Sequence, residues 1–405
     1  MEKFNNIKVI SQNNEGNGIC KINNIITFVP YTLPNEIVDI KIEKQKKNYN
    51  EGKLISIIKK TNERTKPLCK YYYECGGCNI MHESYEAQLE FKKNKVINNL
   101  KHIANIIIKD DLEIVKSDQY NYRNHITINV ENNKMGFYKS KSNEIVNIEK
   151  CVISNKKINN ILKEINKFIN NFPNNNISKI SIKAYKEILI NIISDNFKLK
   201  NEFKKYINYD SLYLNNTYID GLKYVSENLN NYKFNISCLS FFQKNTYIAT
   251  KLYEYIKSMI SNNENVLDLY CGTGSIGIYI SNKCKSVLGI EVIDEAVKMA
   301  EENAKLNKVN NIKFISGKVD DNLDNLDVID TIILDPPRVG LSKKVINNLL
   351  NIKANKIIYV SCDSVTLSRD IKLLSSTYNI DSIKLFDMFP NTYHVENVIL
   401  LQRKD

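Results

Sequence analysis

Asp268-Leu269-Tyr270-Cys271-Gly272-Thr273-Gly274-Ser275-Ile276-Gly277 is the stretch on which the reading of the fold turns. It ends an apolar, strand-like run from Val266 to Tyr270. Its glycines let the backbone turn tightly and come close to a ligand. A helix N-terminus after such a loop favours a carboxylate or a phosphate. Glycine spacing of this kind also suits a dinucleotide, so the surrounding sequence must decide.

Downstream, further apolar runs follow at Ser286 to Glu291, Ile312 to Ser316, Thr331 to Asp335 and Lys356 to Cys362. Helical patterns separate them, clearest at Asp294 to Asn307. Strands alternating with helices predict an α/β unit with a parallel, doubly wound, Rossmann-like sheet. Two details favour S-adenosylmethionine over a dinucleotide. The loop has the acidic start of the methyltransferase form, and Glu291 ends the next strand, where a carboxylate can accept both ribose hydroxyls.

Strand C-terminal ends line the ligand crevice of such a sheet. Asp335-Pro336-Pro337-Arg338 stands at one of them, its prolines stiffening the loop behind Asp335. Base-amine methyltransferases carry an aromatic residue at the fourth place of a similar motif; Arg338 there argues against amine methylation. Ser361-Cys362-Asp363 ends the neighbouring strand. A thiolate at such a position can add to carbon 6 of a uracil and so activate carbon 5, which is otherwise a poor nucleophile. The proton on carbon 5 must then be removed before the thiolate can leave, which requires a general base. Glu396, between the late apolar runs Ser382 to Phe386 and Val398 to Leu401, is the candidate base, with His394 as the alternative.

Upstream, Cys69, Cys75, Cys78 and the more distant Cys151 form a candidate four-thiolate set suited to zinc or an iron–sulfur cluster. The single CxxC knuckle is half of what a zinc ribbon uses. Cys20, Cys238, Cys271 and Cys284 read as packing residues. Residues 1–60 carry β-rich runs at Ile22 to Val29, Ile37 to Ile42 and Lys53 to Ile58, with turns at Glu15 to Gly18 and Leu33 to Asn35, and so predict a small barrel. A helix is predicted at about residues 83–101. The topology of residues 112–240 is not legible from pattern.

The chain has 405 residues, 43% of them hydrophobic, and a formal net charge of +12, of which residues 1–70 contribute +6 from 13 Lys/Arg and 7 Asp/Glu. This balance favours a polyanionic partner. Lys41, Lys44, Lys46 and Lys47 with Tyr49 suit phosphate contact and base stacking. There is no apolar leader and no run near the roughly 20 apolar residues of a membrane helix. A cytoplasmic chain without a membrane partner is expected, and no obligate protein partner is evident.

Taken together these motifs resemble the RNA 5-methyluridine methyltransferases, in particular the RumA-type 23S rRNA (uracil-5-)-methyltransferases, over nearly the whole chain. Residues 1–60 resemble a TRAM (OB-like) RNA-binding barrel, and Ser240-Phe241-Phe242-Gln243 resembles the start of the family's catalytic part. The resemblance implies domains at 1–60, 61–240 and 241–405. The central one would be an α+β domain carrying a 4Fe-4S site on Cys69, Cys75, Cys78 and Cys151, with the helix at 83–101 packed on the catalytic domain. It implies Cys362 as nucleophile and Glu396 as base. Gln243, Tyr270, Gly272, Gly274, Glu291 and Asp335 would hold S-adenosylmethionine. Lys318 stands where some relatives carry Asn near the adenine, a departure from the pattern. The RNA expected is 23S rRNA, with tRNA as the alternative; a non-catalytic RNA-binding protein and a 5-methylcytidine synthase fit the motifs less well.

Overall fold

The structure, a computed structural model, describes residues 2–108, 111–323 and 326–405. Met1, the first residue of the expected barrel, lies outside them. Near the N-terminus six strands form one sheet in the spatial order Lys3–Lys8, Ile37–Gln45, Tyr49–Lys59, Ile25–Val29, Gly18–Ile22, Ser11–Gln12. Its inward side chains include Val9, Cys20, Val29, Val38 and Ile40, all fully buried. The run from Ile22 to Val29 is not one strand. Asn23 and Asn24 both take positive φ (47° and 65°), and Ile22 pairs with Ile25 across them. Asparagine tolerates the left-handed region better than other residues with a side chain, and two such residues in a row make the turn whose twist matches a hairpin.

The central part is α+β. A seven-stranded sheet runs Ile145–Asn147, Lys134–Tyr138, His125–Glu131, Ile177–Ala184, Ile188–Ser194, Ser211–Leu214, Thr217–Gly221. One of its faces is covered by the helix Lys156–Asn171, which buries Ile158, Ile161, Leu162, Ile165, Phe168 and Ile169 against Ile126, Ile128, Ile180 and Ile182. The spacing of those helical residues is the three-and-four repeat of a one-sided helix. Asn155 caps it, accepting from the Ile158 amide at 2.9 Å.

The expectation of an iron–sulfur site in this part is corrected by the structure. Cys69, Cys75, Cys78 and Cys151 line one mainly apolar cavity of about 110 Å³. Yet among the described residues no three His, Cys, Asp or Glu side chains are arranged to hold a metal ion. Burial pushes the Cys75 thiol up to about 11 and that of Cys78 well above the usual range, which favours thiols over the thiolates that ligate metals. Neither the 4Fe-4S cluster nor zinc is supported.

The C-terminal sheet has eight strands in the order Ile312–Ser316, Cys284–Glu291, Glu264–Leu269, Thr331–Leu334, Lys356–Ser361, Glu396–Arg403, Tyr378–Phe386, Glu113–Val115. The first five are mutually parallel, as the alternating pattern predicts. Glu396–Arg403 then runs antiparallel between Lys356–Ser361 and Tyr378–Phe386. The strand residues alternate between two cores. Val266, Ile333 and Ile358 pack on Ile248, Leu252 and Ile256 of the helix Thr246–Ser258. Leu267, Ile332 and Ile357 pack on Val345 and Leu349 of Lys343–Ile352, and on Leu367 and Ile371 of Ser364–Leu374. Among the described residues no helix is long and apolar enough to cross a membrane.

Candidate active site

The loop after Glu264–Leu269 is bent by its own backbone. Tyr270, Gly272 and Gly274 take positive φ (62°, 53° and 73°). A Cβ added to Gly272 would meet nothing within 4 Å, whereas one on Gly274 would come within 2.7 Å of the Phe314 ring. Gly272 thus leaves open space above the sheet, and Gly274 lets the following helix seat on it. Glu291, buried at the end of the next strand, fixes the loop from the side: its carboxylate accepts from the Gly272 amide at 3.1 Å and the Ile293 amide at 2.9 Å. Asp268 is fully buried. One of its oxygens accepts from the Gly277 amide at 3.0 Å; the other, Oδ1, has no hydrogen-bond partner among the described residues. Burial and the nearby Asp335 and Glu291 carboxylates push Asp268 up to about 7. An open glycine corner, a carboxylate at the neighbouring strand end and an orphaned buried oxygen together fit S-adenosylmethionine, whose ribose and amino groups donate hydrogen bonds. Gln243 is half-buried on the approach to Thr246–Ser258, and its carbonyl accepts from Asn124 Nδ2 at 3.1 Å.

Two strand ends meet beside this loop. Ser361 pairs with Asn397 in the antiparallel register, and Asn397 Nδ2 donates to the Ser361 carbonyl at 2.8 Å. Cys362 follows Ser361 and Glu396 precedes Asn397, so the two flank this last pair of the ladder. The Cys362 thiol feels the Glu396 charge. Burial, then Glu396, push the Cys362 thiol up to about 12, while Arg338 draws it down. Burial, then Asp335, push the buried Glu396 up to about 8, again with Arg338 opposing. Burial raises Asp335 to about 7. At neutral pH this is a cluster of protonated or half-protonated acids facing one cation.

His394, the alternative base, contacts Arg338. Its Nε2 lies 3.2 Å from Arg338 Nη2, and its ring packs at 4.2 Å on that of Tyr393. Burial, then Arg338, Lys95 and Lys92, push it down to about 3. Burial and the neighbouring cations thus favour the neutral imidazole, which contacts Arg338.

Sequence reasoning missed Arg338 as a working residue, because the Asp-Pro-Pro-Arg motif was read for the aromatic it lacks. It also missed the orphaned oxygen of Asp268 and the support behind Glu396. That support is the helix Tyr85–Asn99. Lys92 Nζ lies 2.5 Å from Asp387 with both side chains fully buried, and Tyr85 Oη donates to Asp387 at 2.9 Å. The Gln88 side chain accepts from the Asn391 amide at 2.9 Å.

Fold and site together define an S-adenosylmethionine-dependent methyltransferase. The chain belongs to the tRNA (uracil-5-)-methyltransferase family, whose model matches residues 186–325 and 318–404; a TRAM domain model matches residues 5–55. An uncharacterized RNA methyltransferase of Clostridium acetobutylicum is 34% identical, with 97% of this chain and 95% of the relative covered. One from Staphylococcus aureus is 33% identical over 98% and 97%. Among solved structures, the Pyrococcus abyssi tRNA (uracil-54, C5)-methyltransferase in complex with S-adenosyl-L-homocysteine superimposes with a TM-score of 0.80 at 26% identity, covering 99% of this chain and 100% of that one.

Proposed function

We propose that this chain methylates carbon 5 of a uridine in 23S rRNA, with Cys362 as nucleophile and Glu396 as general base. The observation that supports the reading is that Cys362 and Glu396 flank the last pair of one ladder, Ser361 with Asn397, and that the Cys362 thiol feels the charges of Glu396, Arg338 and Asp335. S-adenosylmethionine supplies the electrophilic methyl group. The Cys362 thiol passes its proton to water and the resulting thiolate adds through sulfur to carbon 6, leaving the ring as an enolate with carbon 5 nucleophilic. Arg338, the cation nearest both acids, stabilises the thiolate. After carbon 5 has been methylated, the Glu396 carboxylate takes the proton from that carbon. The ring electrons then expel the Cys362 thiolate and restore the double bond. A base whose protonation is balanced near the working pH is well matched to this step. Gln243, Tyr270, Gly272, Gly274, Glu291 and Asp335 hold the cofactor.

The preference for 23S rRNA rests on the likeness of the joint motif set to the RumA-type enzymes. A second reading, tRNA, is favoured by the full-length likeness to the Pyrococcus abyssi enzyme, which acts on tRNA. Mapping 5-methyluridine in 23S rRNA and tRNA from cells with and without this protein separates the two. Loss of one 23S rRNA site supports the first reading, and loss of a tRNA site alone replaces it with the second. Cys362→Ala should bind cofactor and release no tritium from 5-tritiated uridine in RNA. Turnover above a few per cent of wild type removes Cys362 from its role.

A further inference from the structure

Tyr85, Gln88, Lys92 and Lys95 recur along the helix Tyr85–Asn99 at the three-and-four spacing of a single helix face. Each of them grips the segment that leads into Glu396. Tyr85 and Lys92 reach Asp387, Gln88 reaches Asn391, and Lys95 reaches Tyr393. Lys95 is half-buried and forms no ion pair among the described residues. Its Nζ donates to the Tyr393 carbonyl at 3.0 Å and lies 5.0 Å from the centre of the Tyr393 ring. That ring packs at 4.2 Å on His394, and His394 Nε2 lies 3.2 Å from Arg338 Nη2. Four side chains thus make an unbroken line from the helix to the cation that draws down the Cys362 thiol. The last contact needs a neutral imidazole, because only an unprotonated Nε2 accepts from a guanidinium. Burial, then the Arg338, Lys95 and Lys92 charges, favour that form against the Asp363 carboxylate.

We propose that Lys95 is a positioning residue for the reaction: it fixes Tyr393 and, through it, the His394 ring that holds the Arg338 guanidinium toward Cys362. Arg338 needs such a hold. It is exposed and has no carboxylate partner among the described residues, so without His394 its long side chain is free to turn into solvent. Held, the guanidinium faces the sulfur as the thiolate forms. The charges that act most on the Cys362 thiol are those of Glu396, Arg338 and Asp335. Lys95 is not among them, so its effect on the thiol runs through the arginine.

The proposal rests on the reading of Cys362 as nucleophile but is tested without turnover. The cofactor-free full chain is treated with iodoacetamide at mildly alkaline pH, and alkylation of each cysteine is followed by peptide mass spectrometry. The thiolate is the form that reacts, so Lys95→Met should slow alkylation of Cys362 about fivefold relative to Cys238 in the same sample. His394→Leu, which takes away the acceptor and leaves Lys95 in place, should slow Cys362 to a similar degree. Arg338→Gln should slow it at least as much, and adding Lys95→Met to Arg338→Gln should change nothing further. Lys95→Arg, which keeps a cation on a long side chain, should restore most of the wild-type rate. A merely structural role gives the opposite sign: a loosened fold exposes the thiols and speeds both cysteines. If Lys95→Met does that, His394→Leu decides. Unchanged Cys362 alkylation in Lys95→Met or in His394→Leu, or a Lys95→Met effect that persists in full beside Arg338→Gln, overturns the proposal. So does an Arg338→Gln variant as reactive as wild type. Absence of 5-methyluridine from every RNA would instead overturn the function and leave these rates standing.

Discussion

Arg338 sets the protonation of the site, since it draws down both Cys362 and Glu396 against their burial. Arg338→Gln should therefore raise both and move the rising limb of the pH–rate profile to higher pH; an unmoved or acid-shifted limb removes Arg338 from this role. Glu396 also makes a stability prediction. Its folded value of about 8 lies above the ordinary 4.5, so between those values the folded chain holds a proton the unfolded chain has lost. Its contribution to stability is then full below about 4.5 and is lost as pH rises toward 8. Glu396→Gln removes that dependence. In cofactor-free protein the melting temperature of the variant relative to wild type should increase from pH 5 to pH 8; a difference that stays flat or falls contradicts the assigned shift. Taking the difference cancels the buried histidines His82, His125 and His394, whose lowered values act in the opposite sense below about 6.5. At this scale the residue types were legible, because a cysteine after one strand and a glutamate before another need only chemistry to be noticed. Their being brought to one end of the sheet was not legible, since it depends on the register of Lys356–Ser361 with Glu396–Arg403.

Among elements, the helix Tyr85–Asn99 braces the segment between Tyr378–Phe386 and Glu396–Arg403 through a buried ion pair and two further hydrogen bonds. Lys92→Met leaves the buried Asp387 without its cation, with only Tyr85 Oη still donating to it, which should cost about 3–5 kcal/mol. Urea unfolding should register that loss, and Lys92→Met with Asp387→Leu should recover much of it; a loss below about 1 kcal/mol in the single variant contradicts the pairing. The strands of the parallel half were legible to within two residues, because strands covered on both faces read as apolar runs bounded by turn residues. The central sheet was not. Its Ile- and Asn-rich strands pair across long stretches of sequence, as Ile177–Ala184 does with His125–Glu131, and nothing local encodes that pairing. The Ile22 to Val29 run failed for the opposite reason, a two-asparagine turn hidden inside β-rich sequence.

Over the whole molecule, the excess of positive charge and the TRAM match fall together in the N-terminal sheet, where basic side chains are exposed. Lys44, Lys46 and Lys47 are exposed on the hairpin that joins Ile37–Gln45 to Tyr49–Lys59, and the Tyr49 ring beside them packs at 5.5 Å on Phe28. Replacing the three lysines with alanine should weaken RNA binding about tenfold at low salt. It should also flatten the dependence of log Kd on log salt by roughly 0.7 per lost phosphate contact. An unchanged slope would place the RNA elsewhere. The cysteine set shows the limit of reading at this scale. Spacing gathers Cys69, Cys75, Cys78 and Cys151 around one cavity, but spacing carries no information on whether four sulfurs converge into a coordinating group.

The central claim is the covalent route through Cys362 with proton removal by Glu396. The direct measurement is incubation of Glu396→Gln with unmethylated 23S rRNA and S-adenosylmethionine, followed by a denaturing gel and nuclease digestion of any shifted band. The account predicts a stable RNA–protein adduct that carries the methyl group on carbon 5 and is absent when Cys362→Ala is added to the same chain. Wild-type turnover by Glu396→Gln, or an adduct that persists without Cys362, would contradict it.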